Sequence, residues 1–168
     1  MKLRNIIHAG LFQATWFGCV VGQVTWGIPG LLAMLLFSAV VGSIRGDLKW
    51  AFWALLVGLF LDSLWIVLGI LDFSGRNFAP IWICMLWIAV GLSINHTFRF
   101  FFQRPILGGF LAGCSAPGCY LVGESFGSVV IIHPMMLSII SLVWFAVFYF
   151  SFLVAADWSR STAMEEQA

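Results

Sequence analysis

An all-α integral membrane bundle of six transmembrane helices is the fold class this sequence predicts, and three observations carry the prediction. Charged residues make up only 9% of the 168 positions while 62% are hydrophobic, whereas a soluble domain carries about 25% Asp, Glu, Lys and Arg. So few charges cannot cover a sphere in water, and lipid is the solvent that suits this much Leu, Ile, Val and Phe. Six apolar stretches alternate with turn residues and charges, most of them near the roughly 20 residues a bilayer requires. The basic residues then segregate. With the N-terminus cytoplasmic, Lys2, Arg4, Arg45, Lys49, Arg99, Arg104 and Arg160 fall on the inner side and Arg76 alone on the outer. That split is the positive-inside bias, and changing the helix count by one would destroy it.

The first stretch runs from about Asn5 to Gly22. His8 and Gln13 interrupt it and no small-residue cleavage site follows, so it reads as a retained helix rather than a leader. The second runs from Trp26 to Ser43, with Pro29 suited to a first helical turn. The third runs from Trp50 to Leu71 and the fourth from Pro80 to Phe98. The fifth, Ile106 to Gly123, contains Pro117-Gly118, which predicts a kink or break. Pro134 opens the sixth, which reaches Ala156, leaving Gly127 to His133 as an outer loop or shallow re-entrant piece. Residues 1–156 thus form one transmembrane domain, and 157–168 a short polar cytoplasmic tail without apolar periodicity. Trp26 and Trp82 fall at outer boundaries and Trp50 and Trp158 at inner ones, where an indole suits the headgroup level.

Asp62 is the most informative residue, because a carboxylate near the centre of a transmembrane helix costs about 2.5–3.5 kcal/mol on insertion scales. It should therefore face the bundle interior or be neutral. Ala54, Gly58 and Asp62 recur every four residues, a small-residue face that lets another helix approach. Two readings stay open: a ligand- or proton-binding carboxyl, with Ser63 beside it and Gln13 of the first helix as partner, or a hydrogen-bonding residue that fixes packing. Asn95 and His96, followed by Arg99 and Arg104, form a second candidate, a polar cytoplasmic mouth suited to a lipid headgroup; an ordinary capped helix end is the alternative. Depth separates the two sites. His8 reads as interfacial.

On the outer side Asp72, Arg76, Glu124 and His133 could converge, but they show no fixed ligand spacing and loop polarity accounts for them. Cys19, Cys84, Cys114 and Cys119 lack a metal or redox spacing and read chiefly as small apolar packing residues. Gly18/Gly22 and Gly109/Gly113 are G-x-x-x-G pairs suited to close helix contacts. Nothing resembles a phosphate loop or nucleophile elbow, no catalytic constellation is complete, and no metal or cofactor is expected. No basic surface for nucleic acid is evident. The expected partners are the lipid bilayer and another membrane protein.

Trp16-Phe17-Gly18-Cys19-Val20, Leu61-Asp62-Ser63, Ala79-Pro80-Ile81-Trp82 with Leu86-Trp87, Asn95-His96-Thr97 and Pro117-Gly118-x-Tyr120 together resemble an uncharacterised family of small polytopic bacterial inner-membrane proteins. The resemblance covers nearly the whole chain. It implies a multi-pass location in the bacterial inner membrane and supplies no catalytic residues. Three functions follow for comparison: a small-molecule or proton binding or transport module around Asp62; a lipid-modifying enzyme, or accessory of membrane fatty-acid and lipid metabolism, around His96; and a structural or assembly protein. A pocket at Asp62 distinguishes the first, a lateral opening at His96 the second, and a dry, filled bundle the third.

Overall fold

The computed structural model describes residues 3–165 and is an all-α bundle; Lys2 and the last three residues lie outside it. Helix α1 (Leu3–Val40) is continuous in hydrogen bonding, but its backbone reverses at Gln23, with φ 50° and ψ −129°. The two arms, residues 3–22 and 24–40, fold back on each other. The His8 ring lies 5.1 Å from that of Phe37, Gly30 packs on Thr15 and Gly27 on Cys19. These arms are the first two predicted stretches, joined by a hairpin too tight for a loop. Gly18 and Gly22 are required there, since a Cβ on either would run into Trp26. Gln23 holds a conformation that L side chains rarely adopt, which costs about 1–3 kcal/mol. Gln23→Gly is therefore expected to raise the unfolding temperature in detergent; an unchanged or lower midpoint would show that the Gln23 side chain compensates for the strain. Pro29 lies inside the second arm rather than in its first turn.

Helix α2 (Ile44–Val67) begins six residues before the predicted Trp50, so the charged run Arg45-Gly46-Asp47 is helical. A short strand β1 (Leu71–Asp72) and a loop lead to α3 (Ile81–Ser93), which is shorter than predicted. The chain bends at His96 into a 3-10 helix (Thr97–Gln103) whose axis departs from that of α3 by 58°. Helix α4 (Pro105–Ser125) runs through Pro117 without a break. Strand β2 (Val130–Ile131) pairs antiparallel with β1, Leu71 opposite Ile131. The 124–133 segment is therefore a lid pinned to the β1 loop, and a 3-10 turn at Pro134 starts the last rod as predicted. Helix α5 (Leu137–Glu165) continues past Ala156, so the polar tail extends the helix as far as it is described.

With the α1 hairpin counted as two, six helical rods match the six apolar stretches. Helices α1, α2, α4 and the rod Pro134–Ser161 are long and apolar enough to cross a membrane, and α3 with its 3-10 continuation would do so as one broken span. Helix α3 is the centre, packed on α1 and α2, while α4 pairs with α5. Glycine sets the close approaches. Gly91 of α3 faces the α2 backbone at Trp50 and Ala51, and Gly109 and Gly113 face Phe145 and Ser141 of α5. The Ser141 hydroxyl donates to the Gly113 carbonyl at 2.7 Å.

Beside an apolar core, the interior holds several polar groups and the exterior is rich in large apolar side chains. His8, Thr15, Ser38, Asp47, Asp62 and His96 are buried, while Leu36, Phe60, Leu142 and Phe150 stand 60–69% exposed on the outer faces. Trp82 departs from the boundary role expected of it. It is buried, 5.8 Å from the Phe73 ring, in the core beneath the β lid. Trp50 and Trp158 do meet, with ring centroids 6.0 Å apart, and Lys49 lies over Trp158.

Candidate functional site

Asp62 faces the interior as its spacing predicts, but it sits nearer one end of its helix than the middle. Five residues, about 8 Å of helix, separate it from the end of α2 at Val67. Gly58, one turn earlier, leaves room for the Trp87 ring of α3, since a Cβ there would collide with it. The indole consequently reaches past Gly58, and its Nε1–H donates to Asp62 Oδ2 at 2.6 Å. The Tyr120 hydroxyl of α4 donates to Oδ1 at 2.6 Å. Both carboxyl oxygens thus accept short bonds, the arrangement that makes a buried acid tolerable. Trp87 is fixed in turn by stacking on Trp144 of α5, centroids 4.5 Å apart. One carboxylate therefore ties α2, α3 and α4 together, and α5 supports it.

These residues form part of the wall of a cavity of about 520 Å³. The remaining wall is largely apolar, including Trp16, Trp82, Phe98, Phe101, Phe148 and Phe152. Helix α4 contributes a single face, Gly108, Leu111, Ala112, Ser115, Ala116, Cys119, Tyr120 and Gly123, at the three-and-four spacing of one helical side. Small side chains along that face leave the space open. Gln13 lines the cavity too, but it is exposed at the mouth and is not the partner of Asp62; Trp87 and Tyr120 fill that role. Ser63 points to the loop, where its hydroxyl accepts the Ala79 N–H at 3.3 Å. Of the three residues expected to form this site, Asp62 and Gln13 share the cavity and Ser63 does not line it.

The second predicted site is closed. His96 Nε2 lies 2.8 Å from Asp47 Oδ2 and 3.1 Å from the Ser43 hydroxyl. Ser43 donates to Asp47 Oδ2 at 2.6 Å, and Asn95 Nδ2 donates to Oδ1 at 2.9 Å. Since the Ser43 proton is committed to Asp47, a single Nε2–H of His96 serves both acceptors. Ser43 and Asp47 therefore meet the same ring nitrogen, whereas nucleophile activation needs them on opposite nitrogens. His8 stacks on His96 with centroids 4.6 Å apart and hydrogen-bonds Thr97 through Nδ1 at 2.9 Å. His8 is thus buried in this cluster rather than interfacial. Arg99 and Arg104 are exposed and take no part in it, Arg104 lying over the Phe100 ring. The expected mouth divides into buried His96 with half-buried Asn95, and two outlying arginines.

On the opposite end, the Asp72 carboxylate accepts the Gly75 N–H and the Glu124 carboxylate accepts the Ile131 N–H, at 2.6 and 2.8 Å. They fasten the loop and lid, as loop polarity predicts. Among the described residues no three His, Cys, Asp or Glu side chains are placed to hold a metal, and all four cysteines are free.

Sequence reasoning missed Asp47, Trp87 and Tyr120. Asp47 lies in a charged run that reads as a solvated loop, and only its inward phase on α2 separates it from exposed Arg45 and Lys49. Trp87 and Tyr120 were legible in principle, as donor-bearing aromatics on apolar helices that need an acceptor when buried.

Fold and site together define a small α-helical bundle, with helices long and apolar enough to cross a membrane, built round a carboxylate-bearing apolar cavity. The chain belongs to the DUF2878 family, described as proteins of unknown function, whose family model matches residues 5–150. No curated protein and no solved structure matches it.

Proposed function

We propose that this is a multi-pass protein of the bacterial inner membrane, with both ends cytoplasmic, that binds or transports a small molecule at Asp62. The observation that carries the reading is the cavity of about 520 Å³ with the Asp62 carboxylate in its wall. Cavities of about 300–1,000 Å³, apolar with a few convergent polar groups, are the usual form of small-molecule sites. A purely structural bundle has no use for such a space, and dense packing would fill it. The apolar outer faces support lipid as the solvent, and the seven-to-one division of basic residues supports the orientation. The enzyme reading at His96 has less support, because His96 is only 3% exposed and is engaged by Asp47.

Two measurements test this proposal. A fluorescent protein fused after Ala168 should fluoresce, and alkaline phosphatase fused there should be inactive; the reverse pair would overturn the orientation. Mass spectrometry of protein purified gently from its host should find a small molecule retained by the wild type. It should be depleted about tenfold in Asp62→Asn, the effect of losing one buried hydrogen bond to a charged acceptor. Equal retention by both proteins would remove Asp62 from the binding role.

A further inference from the structure

We infer that the ligand is an amphiphile with a hydrocarbon chain and a head that donates hydrogen bonds, a hydroxyl or an amine. This inference rests on the binding reading above and specifies its occupant. The shape of the cavity gives the chain. Its lining on α4 runs from Gly108 to Gly123, fifteen residues or about 22 Å of helix. A space of that length has room for an extended hydrocarbon chain laid along α4. The end near Gly108 is closed by Phe101 and Phe152 and offers only apolar surface.

Hydrogen-bond accounting at the other end gives the head. The N–H of Trp87 and the O–H of Tyr120 both donate to Asp62. Their donors are therefore spent, and what remains there is the unused lone pairs of the carboxylate and of the Tyr120 oxygen, which the Trp144 indole also engages. Among the described residues no Lys, Arg or His lines the cavity. Ser115, farther along the wall, has also committed its proton, to the Ala112 carbonyl. The lining also carries the Gln13 amide and the indole N–H groups of Trp16 and Trp82, but Asp62 is the one charged group among the described lining residues. The site therefore favours a donating head and repels a carboxylate or phosphate, which would set a second negative charge beside it. Entry is sideways. Gln13 on α1 and Leu111 and Ser115 on α4 line the cavity and are also exposed, so the gap between α1 and α4 opens to the surrounding lipid.

The test uses the full chain in nanodiscs, with hexadecanol and hexadecylamine carrying a mid-chain diazirine, and the matching hexadecanoate as comparison. Photolysis should label α1 and α4 along the cavity with the alcohol and amine, about tenfold more than with the carboxylate. Ala112→Phe, which fills the groove, should abolish labelling by every probe. Tyr120→Phe should reduce it for the alcohol and amine only. Equal labelling by all three heads, unaffected by Tyr120→Phe, would overturn the assignment of the head while leaving a chain-binding cavity. Labelling that Ala112→Phe does not reduce, for any probe, would overturn both this inference and the binding reading on which it rests.

Discussion

Asp47→Ala is expected to lower stability by about 3–5 kcal/mol, because three donors lose their acceptor and each stranded group costs about 1–3 kcal/mol. Asp47 is fully buried and takes hydrogen bonds from Ser43, Asn95 and His96. Its loss leaves three donors without this acceptor at the junction of α2, α3 and the 3-10 helix. The unfolding midpoint in detergent, followed by tryptophan fluorescence, should fall well below wild type. Asp47→Asn, which keeps one acceptor, should fall less. His96→Ala should cost little more when made in the Asp47→Ala background, because the two substitutions break one pair. A normal midpoint for Asp47→Ala would mean that the pair is open to solvent and the cluster is not closed. The cluster lies far from Asp62 along α2, so retention of ligand by the surviving folded fraction should be unchanged.

Gly91→Ala is the second large effect. A Cβ on Gly91 would stand 2.5 Å from the Trp50 carbonyl oxygen and 2.6 Å from the Ala51 nitrogen. Both are backbone atoms of α2, so no rotamer change relieves the collision and the two helices must separate. Overpacking of this kind costs about 1–3 kcal/mol, occasionally more. Gly118→Ala is the matched control, because nothing lies within 4 Å of its added Cβ. There the change should gain helix propensity, up to about 1 kcal/mol. Unfolding midpoints should therefore move in opposite directions for two identical substitutions. If Gly91→Ala left the midpoint unchanged, the close approach of α2 and α3 would be wrong.

How far the site was legible varies residue by residue. Asp62 could be found because an acid in an apolar run has only one tolerable direction to face. Gly58, spaced four residues before it, marked the same face. Its partners could not be found, because Trp87 and Tyr120 lie 25 and 58 residues away from it in sequence. Depth estimates from one end of a helix did not reveal which neighbours those were, and they made Gln13 look closer than it is. Asp47 was hidden by its neighbours. Arg45 and Lys49 flank it and give the whole run the look of a loop, and only the phase of α2 turns Asp47 inward.

The sequence by itself determined that there are six apolar rods and roughly where each lies. A rod needs a length of apolar residues between breaks, and both are local properties. It also determined that Asp62 must face inward, because an apolar surrounding offers a carboxyl group no partner. Tertiary structure decided the rest. It joined the first two rods at Gln23 without a loop, kept α4 continuous through Pro117, and buried Trp82 beneath the β lid. It closed the His96 site with Asp47 and left the Asp62 site open. Each of those outcomes depends on which faces meet, and a face has no energy until another helix, or the absence of one, is set against it.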